Sequence, residues 1–266
     1  MAAQTFEEVR KEFLVTFRGI ALYKHRYDVF RDFVTMSAIS LRNAMVMNDA
    51  LEKEYLGIIG NYQKQDQLLF PKLLALLVEL LEFGPRDVLG NLFEALELNS
   101  KDKGQFFTPH PISEFMAQIV GNDEISLGDK PFITLSEPAC GAGGMVLAFV
   151  KQMQQAGYNP AERLWVQAID VDRLAALMCY VQLSLWHVPA EVIVGNTLSM
   201  ELRELWYTPA HILGYWSYKL RARAEEQATK RESEPEIQSQ PTPAANPVSR
   251  PQKETGGTQV QFDFGF

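Results

Sequence analysis

Three short stretches of the chain carry the residues best suited to chemistry. Glu137-Pro138-Ala139-Cys140-Gly141-Ala142-Gly143-Gly144 sets a carboxylate ahead of a run of small residues. Small residues let the backbone approach a ligand closely, and a helix that begins after them presents free N–H groups and its positive dipole end. Glu137 suits an ammonium group, and the loop amides suit a carboxylate. Asp170-Val171-Asp172 offers carboxylates, one of which can accept from both hydroxyls of a ribose. Asn196 carries a carboxamide able to hydrogen-bond a purine ring. Each piece alone is commonplace, since a glycine-rich turn is often only a turn and a strand-end Asp often caps a helix. Taken together, in this order, they describe one nucleoside pocket.

The elements that must position these residues show in the hydrophobic period. Phe132-Ile133-Thr134-Leu135 is a short apolar run of the kind found in buried parallel strands. Residues 164–169 predict a second strand ending at Asp170, and residues 191–194 a third ending at Gly195-Asn196. Helical stretches at 145–155 and 174–186 lie between them. This alternation implies a βαβαβ unit with a parallel sheet and right-handed crossovers. Leu205-Trp206-Tyr207 predicts a short further strand. The expected fold class is α/β, a partial Rossmann-like sheet of three to four parallel strands preceded by a helical N-terminal region.

That N-terminal region, residues 1–100, reads as a helical bundle. Phe6, Val9, Phe13 and Phe17 recur at helical spacing, as do Tyr27, Phe30, Val34 and Leu41. Residues 68–83 are nearly all apolar, with Pro71 near the start where a helix tolerates it; Gly84-Pro85 breaks the run, and 87–98 predicts another short helix. A second domain is expected over 101–222. Residues 223–258, rich in Glu, Gln, Pro, Ser, Thr and Arg, predict a disordered tail. Residues 259–266 add three phenylalanines and read as a docking peptide.

Bulk properties narrow the classes. The formal charge of −8 over 266 residues, with basic residues scattered, argues against unaided DNA binding without excluding a basic groove. No apolar run reaches the roughly 18–20 residues needed to cross a bilayer. Glu7, Glu8 and Glu12 stand where a signal peptide would be basic. Two cysteines, Cys140 and Cys179, fit a reducing cytoplasm, and no metal site is expected.

Gly104-Gln105-Phe106-Phe107-Thr108-Pro109, followed by Glu137 to Gly144, resembles the paired signatures of N6-adenine DNA methyltransferases. The type is that of the modification subunit of type I restriction systems, over roughly residues 85–200. The resemblance implies S-adenosyl-L-methionine as cofactor. Gln105, Phe106, Phe107, Thr108 and Pro109 would line the pocket. Glu137 and Gly141 would hold the methionine end, with Ala139, Cys140, Ala142, Gly143 and Gly144 completing the loop. Asp170, beside Asp172, would take the ribose, and Asn196 the adenine. DNA and a specificity or restriction subunit are the implied partners.

The chain also departs from that family. The Asn/Asp-Pro-Pro-Tyr/Phe tetrapeptide that holds and stacks a flipped adenine is absent from the 266 residues. The nearest substitute is Thr208-Pro209-Ala210-His211, either a degenerate catalytic loop built on Thr208, Pro209 and His211, or a helix cap with Pro209 in the first turn. The family sheet also has more strands than are visible here, which leaves a flank beside the first strand to be covered. Two readings follow: an adenine methyltransferase acting with degenerate residues or with a partner that supplies catalysis and sequence recognition, or a non-catalytic relative that binds cofactor and regulates modification or restriction. Separately, Gln261-Phe262-Asp263-Phe264 resembles peptides that dock bacterial replication sliding clamps. Deleting residues 259–266 is expected to abolish pull-down of a sliding clamp, and unchanged recovery would reject that partner.

Overall fold

Helix α1 (Phe6–Gly19) begins where Thr5 and Glu8 form a capping box, the Glu8 carboxylate accepting from Thr5 N at 2.8 Å. It buries Val9, Phe13 and Phe17, three of the four residues of the predicted stripe. The computed structural model describes residues 4–98, 127, 128 and 130–233, with side chains to Thr229. After α1 come α2 (Arg26–Asn43), α3 (Asp49–Gly60), α4 (Lys64–Gln67), α5 (Leu69–Glu82) and α6 (Val88–Ala95). Arg26 donates to the carbonyls of Phe17, Ile20, Ala21 and Lys24, satisfying the end of α1 and the turn beyond it. Phe30 meets Phe17 and Phe93 edge-to-face, with ring centroids 5.9 and 5.3 Å apart.

The sheet runs β1 (Ile133–Glu137), β2 (Leu164–Asp170), β3 (Ala190–Asn196) and β4 (Glu201–Tyr207), in that spatial order. Its helices are α7 (Gly144–Gln155), α8 (Pro160–Arg163), α9 (Arg173–Leu185), α10 (Pro209–Leu213) and α11 (Trp216–Ser233). The first three strands are parallel, as their spacing predicts. The fourth is longer than the expected 205–207 and runs antiparallel to β3. Residues 197–200 are far too few for the crossover that a parallel pair needs, roughly a dozen residues or more. The close turn demands Gly195, where a Cβ would lie 2.4 Å from the Glu201 carbonyl. Charged Glu201, Arg203 and Glu204 mask the strand in sequence because most of β4 is exposed or only half-buried.

Helix α9 is buried from Leu174 through Ser184, because it lies between the sheet and α2. One continuous apolar core therefore extends from Val9 in α1 to Trp206 in β4. Arg173 opens α9 with two bonds to Glu54 of α3, at 2.9 and 3.1 Å, and one to Glu204 of β4 at 2.7 Å. Gln182, fully buried, reaches both α6 and the loop after β1. By its contacts the chain divides into Met1–Arg223 and Ala224–Phe266. Helix α11 continues to Ser233, past the expected onset of a disordered tail at 223. Its Ala, Glu, Gln, Lys and Arg are good helix formers even where no core receives them. The docking peptide at 259–266 lies outside the described residues.

Of the two readings of Thr208-Pro209-Ala210-His211, the structure has the helix cap. Thr208 Oγ1 donates to Val188 O at 2.8 Å, accepts from Ala190 N at 2.9 Å, and caps α10 through His211 N. Pro209 occupies the first turn of α10. His211 Nδ1 accepts from Trp165 Nε1 at 3.1 Å, so its proton sits on Nε2, which faces Ser217 Oγ at 2.9 Å. The Tyr207 ring stacks on it at 4.4 Å. Burial pushes the His211 pKa down to about 4, so the ring is neutral in the folded chain. Because an unfolded histidine titrates near about 6.5, protonation favours the unfolded chain between these values. Thermal stability is expected to be fully present above about 6.5 and to fall progressively toward about 4. His211→Gln should flatten that acid limb in melting curves, and an unchanged limb would place its origin elsewhere.

Candidate functional site

Parallel pairing brings the three chemically suited stretches to one edge of the sheet. Glu137 at the end of β1 pairs with Ala168, and Asp170 at the end of β2 with Val194, so the loops after β1, β2 and β3 emerge together. Tyr207, at the end of antiparallel β4, pairs instead with Glu191 near the start of β3. Six residue steps along β3 separate Asn196 from Ala190, about 20 Å of strand. Thr208, Pro209 and His211 therefore stand at the opposite end of the sheet from Glu137, Asp170 and Asn196.

The loop after β1 is shaped by hydrogen bonds to its neighbours. Cys140 N donates to Ile169 O and Gly141 N to Asp170 Oδ2, both at 2.8 Å. Gly141 and Gly143 hold φ of 52° and 93°, the left-handed region in which glycine is unstrained, and turn the chain into α7. Gly143 is the N-cap of α7 and no side chain caps it, so the first-turn amides of α7 have no side-chain partner there. Ala142 O accepts from Gln182 Nε2 at 2.7 Å. Hydrogen bonding to the Cys179 thiol, then burial, push the Cys140 thiol pKa up, which keeps it protonated and suits it to packing more than to nucleophilic attack.

The polar groups that remain available define the chemistry. Glu137 Oε1 accepts from Ala139 N at 3.2 Å, which leaves its second oxygen for a cation. Asp170 Oδ1 accepts from Asp172 N at 2.8 Å, and each Asp170 oxygen keeps a further lone pair. Burial raises the Asp170 pKa, against the lowering effect of the backbone N–H groups it accepts from. The Asp172 side chain is engaged as the cap of α9, accepting from Ala175 N at 3.0 Å. Asn196 Oδ1 accepts from Leu198 N and Ser199 N at 2.9 and 3.4 Å, and its Nδ2 has no partner among the described residues. Gln105, Phe106, Phe107, Thr108 and Pro109 lie outside the described residues.

Several contributors were missed by reading motifs alone. Thr197 Oγ1 donates to Pro138 O at 2.7 Å, tying the third loop to the first. Arg203 donates to Val171 O, fixing the second loop. Val171 and Leu198 are 60% and 97% exposed although apolar, and they follow Asp170 and Asn196 closely in sequence. Large apolar side chains in strand-end loops were the available signal for a planar ligand surface. Together these groups can accept from an ammonium and a vicinal diol, donate to a carboxylate and a ring nitrogen, and contact a flat ring. Gly143→Ala should destabilise the chain by about 1–3 kcal/mol, because a Cβ there is strained at φ 93° and meets Cys179 Sγ at 3.0 Å. Adding Cys179→Ala should recover the steric part of that loss in urea titrations; wild-type stability of Gly143→Ala would contradict this loop geometry.

Comparison with known proteins places this arrangement. No curated protein matches the chain significantly. Among solved structures, a chain assigned as a class I S-adenosylmethionine-dependent methyltransferase from Listeria monocytogenes shares 14% identity at a TM-score of 0.38, over 70% of this chain and 50% of that one. A modification subunit assigned to a type I restriction enzyme of Vibrio vulnificus YJ016 shares 18% identity at 0.31, over 56% of this chain and 28% of that one. The methyltransferase subunit of a type I restriction-modification system from Streptococcus thermophilus shares 14% identity at 0.35, over 70% and 57%. The chain thus spans between 28% and 57% of the length of these solved relatives. The family model for N-6 DNA methylase matches residues 85–221, more than half of the sequence and all of the loops just described. The chain belongs to the N-6 DNA methylase family.

Proposed function

We propose that the chain binds S-adenosylmethionine at the loops after β1, β2 and β3, and that it serves methylation of adenine N6 in DNA with base-receiving residues supplied from outside these 266. The observation that carries this reading is the hydrogen-bonded joining of the three loops, Gly141 N to Asp170 and Thr197 to Pro138 O, around carboxylate and amide groups with unused capacity. When bound, S-adenosylmethionine supplies an electrophilic methyl group on a sulfonium. Glu137 accepts from the ammonium of its methionine portion, and the first-turn amides of α7 hold the carboxylate. Asp170 accepts from the ribose hydroxyls, Asn196 Nδ2 donates to the adenine ring, and Val171 and Leu198 give the ring apolar contact. Gln105 to Pro109 complete the pocket by the family pattern.

Attack by an adenine amino group requires acceptors that orient its nitrogen lone pair. The sequence lacks the family tetrapeptide for this, and Thr208 lies at the wrong end of the sheet. That observation favours a second reading, a cofactor-binding relative that regulates modification or restriction. DNA and a specificity or restriction subunit are the proposed partners in both, with a sliding clamp reached through Gln261–Phe264, and the cytoplasm is the proposed compartment. No helix among the described residues is long and apolar enough to cross a membrane.

Calorimetry with S-adenosylmethionine tests the pocket. Asp170→Ala should weaken binding by at least about tenfold, because two hydrogen bonds to a charged group are lost. Wild-type binding should also decline on acidification at a higher pH than an ordinary aspartate would give, since Asp170 is protonated earlier, whereas Asp170→Asn should lose that part of the decline and keep only what Glu137 contributes. No binding by the wild type would end the proposal. Tritiated methyl transfer to unmodified DNA, with and without an added specificity subunit, then separates the two readings. Incorporation supports the methyltransferase, and its absence across varied DNA with binding intact supports the regulator.

A further inference from the structure

The cofactor loop and the N-terminal helices meet at one side chain. Gln182 is fully buried on α9 and uses its whole hydrogen-bonding capacity. Its Oε1 accepts from Val88 N at 2.7 Å and Leu89 N at 3.1 Å, the first-turn amides of α6. Its Nε2 donates to Asp87 Oδ1 at 2.9 Å and to Ala142 O at 2.7 Å. Asp87 in turn caps α6 by accepting from Gly90 N at 2.7 Å. A single carboxamide therefore holds both the start of α6 and the peptide just ahead of α7.

We propose that Gln182 is a positioning residue that couples occupancy of the cofactor loop to the placement of α6. The proposal rests on the S-adenosylmethionine reading above. The coupling follows from the rigidity of the carboxamide. Its oxygen and nitrogen lie on one planar group, so a shift of Ala142 O displaces the acceptor seen by Val88 and Leu89, and the reverse. Fixing Ala142 O fixes the peptide that aims the uncapped amides of α7. Burial removes water as a substitute partner, so any movement on one side leaves a donor or acceptor unsatisfied on the other. Linkage makes the effect reciprocal: a partner that shifts α6 alters cofactor affinity, and cofactor alters affinity for that partner.

A buried glutamine with a purely structural role would lower stability alone, and the test separates the two. S-adenosylmethionine binding is measured by calorimetry on the full chain, on Gln182→Met, and on Val9→Ala, a buried α1 change that lowers stability without touching either loop. We expect Gln182→Met to bind about tenfold more weakly while Val9→Ala stays within about twofold of wild type, in line with typical coupling strengths. Wild-type affinity in a folded Gln182→Met overturns the proposal and leaves the pocket reading intact. Absence of binding by the wild type overturns both. Should Gln182→Met fail to fold, Asp87→Ser retains an α6 cap while losing reach to Gln182. It is then expected to bind about fivefold more weakly, and unchanged affinity overturns the proposal.

Discussion

A carboxamide buried beyond the reach of water must have every lone pair and every N–H satisfied within the protein, and Gln182 meets that requirement with groups from two distant parts of the chain. Its partners are the start of α6, the cap Asp87, and the loop after β1. The loop could not keep its present course if α9 rotated, nor could α6 begin where it does. Arg173 plays a related part at the start of α9, where Glu54 and Glu204 bring α3 and β4 to one guanidinium. The helical region and the sheet are thus joined by directional bonds as well as by the shared apolar core.

The two ends of the sheet divide polar chemistry in opposite ways. At the C-terminal ends of β1 to β3, Glu137, Asp170 and Asn196 spend part of their capacity on the backbone and keep the rest. At the other end, Thr208 and His211 bond to Val188, Ala190, Trp165 and Ser217 and are sealed from solvent. Residues of similar chemical promise therefore have different fates. Strand direction decides which, since a parallel strand delivers its last residue to the edge that carries Glu137, Asp170 and Asn196, and an antiparallel one carries it away. The hairpin between β3 and β4 also ties the strand-end loops together, where Thr197 donates to Pro138 O and Arg203 to Val171 O.

The chain belongs to the N-6 DNA methylase family, and the family match covers the loops after β1, β2 and β3. The sequence carries the small-residue loop of that family's pattern and lacks its Asn/Asp-Pro-Pro-Tyr/Phe tetrapeptide. Burial acts on both titratable groups near the loop: it helps keep the Cys140 thiol protonated, while the backbone amides of Gly141 and Asp172 oppose its effect on Asp170 and favour the carboxylate.

Much of this was legible in the residues. Apolar runs ending in Glu137, Asp170 and Asn196 marked three strands and their order of use, because strand burial and glycine turns are local steric matters. The stripe of Val9, Phe13 and Phe17 marked α1 for the same reason. Helix α3, which has no buried residue, left no such stripe, and β4 was shortened by its exposed charged residues. The sequence by itself determined which segments form strands and helices and which side chains could meet a nucleoside, since these follow from backbone sterics and short-range period. Only the tertiary structure decided that Thr208 and His211 stand at the opposite end of the sheet from Glu137, Asp170 and Asn196, and that Gln182 holds the loop. Those outcomes depend on partners dozens of residues distant, such as the Val88–Gln182 and Ala142–Gln182 bonds, and no local pattern encodes which group will satisfy a buried donor across that separation.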